Sequence, residues 1–101
     1  MSTKTDVVLD EKIEIQSRVP KKYKVVFLND NTTPMDFVIQ VLVDIFKHTE
    51  ETATTITMTI HTEGSGVVGV YTHEIAEQKA IETTTLSRNA GFQLAVKLEE
   101  E

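Results

Sequence analysis

The sequence predicts a single compact α/β (α+β) domain in which a three-stranded sheet packs against three helices, in the order βααβαβ. Three observations carry this. The β-branched and aromatic run from Tyr23 to Leu28 reads as a largely buried strand. Thr33, Pro34 and Asp36 open an amphipathic helix directly after it. Phe92, Leu94, Val96 and Leu98 alternate with Gln93, Ala95 and Lys97, as a strand with one buried and one wet face does. A chain of 101 residues suffices for one such domain, with a core so small that every apolar element must contribute.

Taken in order, residues 1 to 19 mix charges with scattered apolar side chains, and composition changes abruptly at Pro20. The expected organisation is a flexible N-terminal extension over residues 1–21, a core over 22–98 and an acidic tail over 99–101. In the first helix a Thr33 hydroxyl caps the start, and Val38, Val41, Leu42, Ile45 and Phe46 recur at helical spacing as its buried face. Lys47 and His48 close it with favourable polarity at the negative end of the dipole. Thr49 before Glu50 and Glu51 caps a second helix, but there the local evidence is divided. Thr55 to Ile60 alternate polar and apolar as a half-buried strand would, while Ala53, Ile56 and Ile60 also share a helical face. Gly64, Ser65 and Gly66 turn into a second strand, Val67 to Tyr71. Thr72 caps a third helix with Glu74 in its first turn, thin in apolar content and stopped by Gly91.

Composition narrows the function. A net charge of -6, from 16 acidic and 10 basic residues, repels phosphate backbones. Lys21, Lys22 and Lys24, the one basic cluster, read as a solvated strand edge. Nucleic acid is therefore not an expected partner. No apolar run approaches the ~18 residues of a membrane span, and Met1 to Asp10 lack the apolar stretch and cleavage site of a secretory signal. With no cysteine, disulfides and thiolate metal sites are excluded. A cytoplasmic monomer without cofactor or metal is the expectation.

Catalytic patterns are missing. His48, His61 and His73 keep no metal-ligand spacing, no serine sits in a nucleophile motif, and Gly64 and Gly66 lack the pattern and lysine of a phosphate loop. His48 reads as a surface helix end and His73 as a first-turn residue. A metallohydrolase or a ligand-sensing domain would need contacts that are not found, so the chain does not read as an enzyme. The informative segment is Asn29, Asp30, Asn31, Thr32, Thr33, Pro34 and Met35, which places amide and carboxylate acceptors between a buried strand and a helix. On its own it reads as an ordinary turn followed by a helix cap.

The stretches YKVVFLNDNTTPMDFVIQVL, Tyr23 to Leu42, and IHTEGSGVVGVYTHEIAEQK, Ile60 to Lys79, resemble the ClpS family, and the likeness runs without gaps from about Tyr23 to Leu98. The resemblance implies that the divided segment from Glu50 to Ile60 is helical. It implies an adaptor that binds the N-terminal residue of a substrate when that residue is Leu, Phe, Tyr or Trp, and delivers the substrate to a ClpA-type AAA+ unfoldase of the Clp protease. Carried over by position, Asn29, Asp30, Asn31 and His61 would hold the substrate's α-amino group. Leu28, Thr33, Met35, Val38, Thr57, Ile60 and Leu94 would form the hydrophobic pocket, with Met35 as its gate. Glu74 and Lys79 would face the N-terminal domain of the unfoldase, and the extension before Tyr23 would serve delivery. Two positions depart from the family: Asn31 stands where an aspartate is common, and Thr57 where Met is usual. A divergent or phage-like homologue that modulates or inhibits the unfoldase is the alternative function.

Overall fold

Strand β1 (Lys22–Leu28) is the centre of the architecture, because both other strands pair with it and every helix lies on a chain segment leaving or entering the sheet. The computed structural model describes residues 20–101, so the expected extension lies outside it but for its last two residues. After β1 come α1 (Met35–Asp44), α2 (Glu50–Glu63), β2 (Ser65–Thr72), α3 (His73–Asn89) and β3 (Ala95–Glu100). The sheet order is β2-β1-β3, antiparallel throughout, with an irregularity in the β1–β2 ladder between Val25 and Val26. This is the expected βααβαβ order.

Alternate residues of β1 set the core. Val25 and Phe27 are fully buried and share one cluster with Val38, Val41, Leu42, Ile45 and Phe46 of the α1 region, with Ala53 and Ile60 of α2, and with Val68, Ala76 and Leu94. Across the β1–β3 ladder Phe27 stands opposite Val96 and Val25 opposite Leu98, both packed against that cluster. Phe27 and Phe46 meet edge to face at 5.5 Å, the geometry aromatic quadrupoles favour.

The divided segment is helical from Glu50 to Glu63. Thr49 accepts the Thr52 amide at 3.1 Å, and Glu50 and Glu51 face the positive end of the dipole. The hydroxyls of Thr54, Thr55, Thr59 and Thr62 donate to carbonyls one turn back, so these exposed threonines satisfy their side chains within the helix. The buried positions are Ala53, Thr57 and Ile60, a spacing of four and three, whereas Met58 of the strand-like alternation is 46% exposed. Gly64 ends the helix in the left-handed region at φ 90°, its N–H donating to the Ile60 carbonyl at 2.9 Å.

Several expected boundaries are corrected. α1 begins at Met35 with Pro34 extended at its cap position, and no side chain caps it; the Thr33 hydroxyl is buried without a partner. The proline ring holds φ near its fixed value while ψ of 148° keeps the residue outside the helix, so the Pro34 carbonyl accepts the Phe37 and Val38 amides instead. The Thr72 hydroxyl likewise makes no cap bond to α3. α1 stops at Asp44, and Lys47 enters the left-handed region at φ 62°. His48 is not a surface helix end: its Nε2 lies 2.6 Å from the Val68 carbonyl, fastening the α1–α2 connection to β2. At the end of α3 the Phe92 amide donates to Ser87 and the Gly91 amide to Arg88, with Gly91 at φ 86°, a Schellman closure.

The closing strand starts later than its alternation suggests, at Ala95, because the segment from Phe92 to Leu94 is held against α3. Arg88 donates to the Phe92 and Leu94 carbonyls, and the Leu94 amide donates to Ser87 Oγ. The strand then absorbs the expected acidic tail. Glu99 pairs with Lys24, Glu100 with Tyr23, and the Glu101 amide donates to the Lys22 carbonyl at 2.9 Å. The lysines at the start of β1, Lys22 and Lys24, run alongside these glutamates. They lie on the central strand rather than an edge, and Lys21 meets Glu100 at 3.0 Å, an exposed pair that adds little stability by itself.

Candidate functional site

The turn after β1 and the last turn of α2 are joined by one backbone bond. The Asn29 N–H donates to the Gly64 carbonyl at 2.9 Å, so the chain leaves β1 beside the C-terminal end of α2, one turn from His61. Ile60 is fixed there as well. A Cβ on Gly66 would stand 2.8 Å from Ile60 Cγ1, so only a glycine lets β2 pass so close beneath that side chain. The other end of the turn is tied elsewhere. The Thr32 hydroxyl donates to Asp30 Oδ2 at 2.6 Å and accepts the Gln93 amide at 3.2 Å, next to Leu94.

Exposure divides the predicted site residues into an accessible polar set, the rim, and a buried, mostly apolar set, the floor. Asn29, Asn31 and His61 are exposed, and Asp30 is half-buried. Val38, Thr57, Ile60 and Leu94 are buried, on α1, α2 and the lead into β3. Leu28, Thr33 and Met35 lie between the two groups, each half-buried. Met35 is the first residue of α1, on the side of the turn opposite the Asn29–Gly64 bond. The Thr57 hydroxyl, 2% exposed at the residue level, has no hydrogen-bond partner.

The rim suits a cation. The segment from Leu28 to Asp36 contains Asp30 and Asp36 and no basic residue, and the C-terminal end of α2 contributes the negative pole of its dipole. Partial burial pushes the Asp30 carboxyl up, but the polar groups of Thr32, through direct hydrogen bonds, and of neighbouring Thr33 outweigh that and hold it below the ordinary carboxylate value. Because the folded value is lowered, Asp30 stabilises the fold above the ordinary carboxylate range. That contribution is lost as pH falls through the lowered value. Thr32 engages only Oδ2 of that carboxylate, so Asp30 remains an acceptor beside the Asn29 and Asn31 amides and the His61 ring. Thr32, though part of the informative segment, has no role of its own in the sequence reading, and Gln93 has none either, since a threonine in a turn is ordinary and the partner lies 61 positions away.

Glu74 and Lys79 differ in kind. Glu74 is exposed in the first turn of α3. Lys79 turns inward. Its Nζ donates to the Ile45 carbonyl at 2.8 Å and lies 5.7 Å and 5.3 Å from the ring centres of Phe46 and Tyr71. It therefore satisfies an orphan carbonyl at the end of α1 and draws on the faces of two rings. Among the described residues no helix is long and apolar enough to cross a membrane, and no cluster of His, Cys, Asp or Glu could hold a metal ion.

Comparison with known proteins agrees with this arrangement. Residues 18–97 match the family described as ATP-dependent Clp protease adaptor protein ClpS. The ClpS adapter protein of Lawsonia intracellularis is 47% identical over 94% of this chain and 84% of its own length. That of Burkholderia thailandensis is 44% identical over 96% of this chain and 93% of its own. The structure of Agrobacterium tumefaciens ClpS2 bound to L-phenylalaninamide superposes with a TM-score of 0.80 at 47% identity, covering 82% of this chain and all of that one. The family match over most of the chain, with the sequence and the fold shared with these proteins, makes this chain a member of the ClpS family, the non-enzymatic adaptors of the ATP-dependent Clp protease.

Proposed function

We propose that the protein binds the N-terminal residue of substrates that begin with Leu, Phe, Tyr or Trp, and passes them to the N-terminal domain of a ClpA-type AAA+ unfoldase. The observation that supports this is the Asn29–Gly64 bond, which brings the acceptor turn to the end of α2 that carries Ile60 and His61. An α-ammonium has three donors, and amide oxygens and a neutral imidazole are the acceptors it requires. Burial of a Leu or Phe side chain contributes about 2 to 3 kcal/mol. That is too little for selectivity alone, so the polar rim must recognise the terminus. The L-phenylalaninamide held by the Agrobacterium protein has both features, a free amine and an aromatic side chain. The test is a set of short peptides that differ only in residue one, each with a free and an acetylated amine. Binding of free Leu and Phe peptides with loss on acetylation is expected; equal binding of the acetylated forms would overturn the reading.

His61→Ala is expected to weaken that binding severalfold, because a ring nitrogen is one of the acceptors the ammonium would meet. A peptide titration of the variant beside the parent measures it, and equal affinity would take His61 out of the site.

Delivery is expected to depend on Glu74. Glu74→Lys should bind peptide within about twofold of the parent while degradation of a reporter with an N-terminal Leu falls severalfold. Lys79 cannot be tested by charge reversal in the same way. Lys79→Glu removes the charged donor from the Ile45 carbonyl, an interaction worth about 1.5 to 3 kcal/mol, and should lower the melting temperature by several degrees. Lys79→Arg, with its charge kept, is the matched control. Undiminished degradation with Glu74→Lys would take that residue out of the partner surface. Peptide binding without any degradation by the parent would favour an inhibitory role.

A further inference from the structure

We propose that Thr32 is a positioning residue for recognition of the terminus: its hydroxyl locks the Asn29–Asn31 turn to the segment that carries Leu94. This rests on the adaptor reading above. One hydroxyl serves two bonds, donating to Asp30 Oδ2 at 2.6 Å and accepting the Gln93 N–H at 3.2 Å, while the Thr32 N–H also reaches the same carboxylate oxygen at 3.3 Å. A hydroxyl can donate and accept at once; no aliphatic side chain of that shape can.

The anchor at the far end is itself fixed. Arg88 holds the Phe92 and Leu94 carbonyls, Ser87 Oγ accepts the Leu94 amide, and Phe92 packs edge to face on Phe37 at 5.0 Å. Gln93 sits inside this segment, so a bond to its amide is a bond to α3 and to α1 together. The near end of the turn is held by the Asn29 amide on Gly64. Between these two ties lie only Asp30 and Asn31, whose side chains are those of the rim. Loss of the Thr32 hydroxyl frees one end of the turn, unpairs the Gln93 amide and leaves Asp30 with its amide bond alone. The cost falls on the geometry of the acceptors rather than on the core, since Thr32 is exposed and is not a member of the buried cluster.

The experiment compares Thr32→Val, which keeps the branched shape without the hydroxyl, with Thr32→Ser, which keeps the hydroxyl. Affinity for a peptide beginning with Phe and amide hydrogen exchange at Gln93 are measured on both and on the parent, with thermal melts alongside. Thr32→Val should bind about five- to tenfold more weakly, the loss expected of one or two hydrogen bonds. Its Gln93 amide should exchange about tenfold faster. Thr32→Ser should stay within about twofold of the parent in both, and all three should melt within a few degrees. Rescue by serine separates positioning from shape. Thr32→Val binding as tightly as the parent, or Thr32→Ser as weak as Thr32→Val, would overturn the proposal. Failure of the parent to bind any free-amine peptide would instead remove the adaptor reading and the positioning role with it, and Gln93 exchange would still report whether the tie exists.

Discussion

Asn29→Ala is expected to reduce affinity for a peptide beginning with Leu or Phe about tenfold to hundredfold while leaving the fold unchanged. The two halves of this result come from different atoms of the same residue. The fold uses the Asn29 backbone amide, which donates to the Gly64 carbonyl, and alanine keeps that donor. The side-chain amide belongs to an exposed residue, and its oxygen is an acceptor open to a ligand. A hydrogen bond to a charged partner is worth about 1.5 to 3 kcal/mol, which sets the range of the expected loss. Fluorescence anisotropy with labelled peptides measures it, and a thermal melt within a few degrees of the parent shows that the turn still forms. An acetylated peptide supplies the internal control. Its neutral amide no longer presents the ammonium donors, so Asn29→Ala should cost it little further, and the two changes should be strongly non-additive. Equal affinity of Asn29→Ala and parent for the free peptide would take Asn29 out of the site.

Which parts of this fold could be read from sequence follows from where the physical signal lies. β1 was legible because its β-branched and aromatic run is buried on successive positions, and a core strand needs little else. α2 was not, because its buried face is Ala53, Thr57 and Ile60, and a buried threonine looks polar in any hydrophobic pattern. The period of two at Thr55 to Ile60 therefore competed on equal terms with the period of the helix, and family likeness, not local propensity, favoured the helix. The start of β3 was misplaced for the opposite reason. Leu94 is as buried as a strand residue, but its burial comes from a lead-in segment held by Arg88 and Ser87, contacts made only after the chain has folded back. Lys79 shows the same limit at the site. Nothing in a helix of mixed charge signals that one lysine will turn inward to an α1 carbonyl between two aromatic rings. The candidate pocket was legible chiefly by resemblance. Asn29, Thr33 and Met35 are unremarkable turn and helix residues until Ile60, His61 and Leu94 are brought to them by ties that span more than 30 positions.

Thr57 sets the second large effect: the protein is expected to bind peptides beginning with Ile or Val, though more weakly than Leu or Phe, and Thr57→Met should suppress that binding about tenfold. The side chain lies on the buried face of α2, one turn before Ile60, with Val38 and Leu94 also in the floor. Its hydroxyl is enclosed and unpaired, so this wall is both smaller than a methionine wall and short of one hydrogen bond. Space of that kind admits a branch at the β-carbon, where a longer side chain on the wall would collide with it close to the peptide backbone. Methionine reaches about two heavy-atom positions further and fills that space with a flexible apolar chain. Leu and Phe, which branch further from the backbone, should lose less than about threefold to the same substitution, and the ratio between the two classes is the quantity to measure. Thr57→Val separates volume from polarity. It keeps the size of threonine and removes the orphan hydroxyl, so it should retain Ile and Val binding and raise the melting temperature slightly, as expected where a buried polar group without a partner is replaced by a methyl. Ile and Val peptides bound equally by parent and Thr57→Met would show that the wall does not discriminate at the β-carbon. Loss of both classes together in Thr57→Met, with an unchanged melting temperature, would mean that methionine closes the floor altogether and that threonine there is required for any side chain to enter.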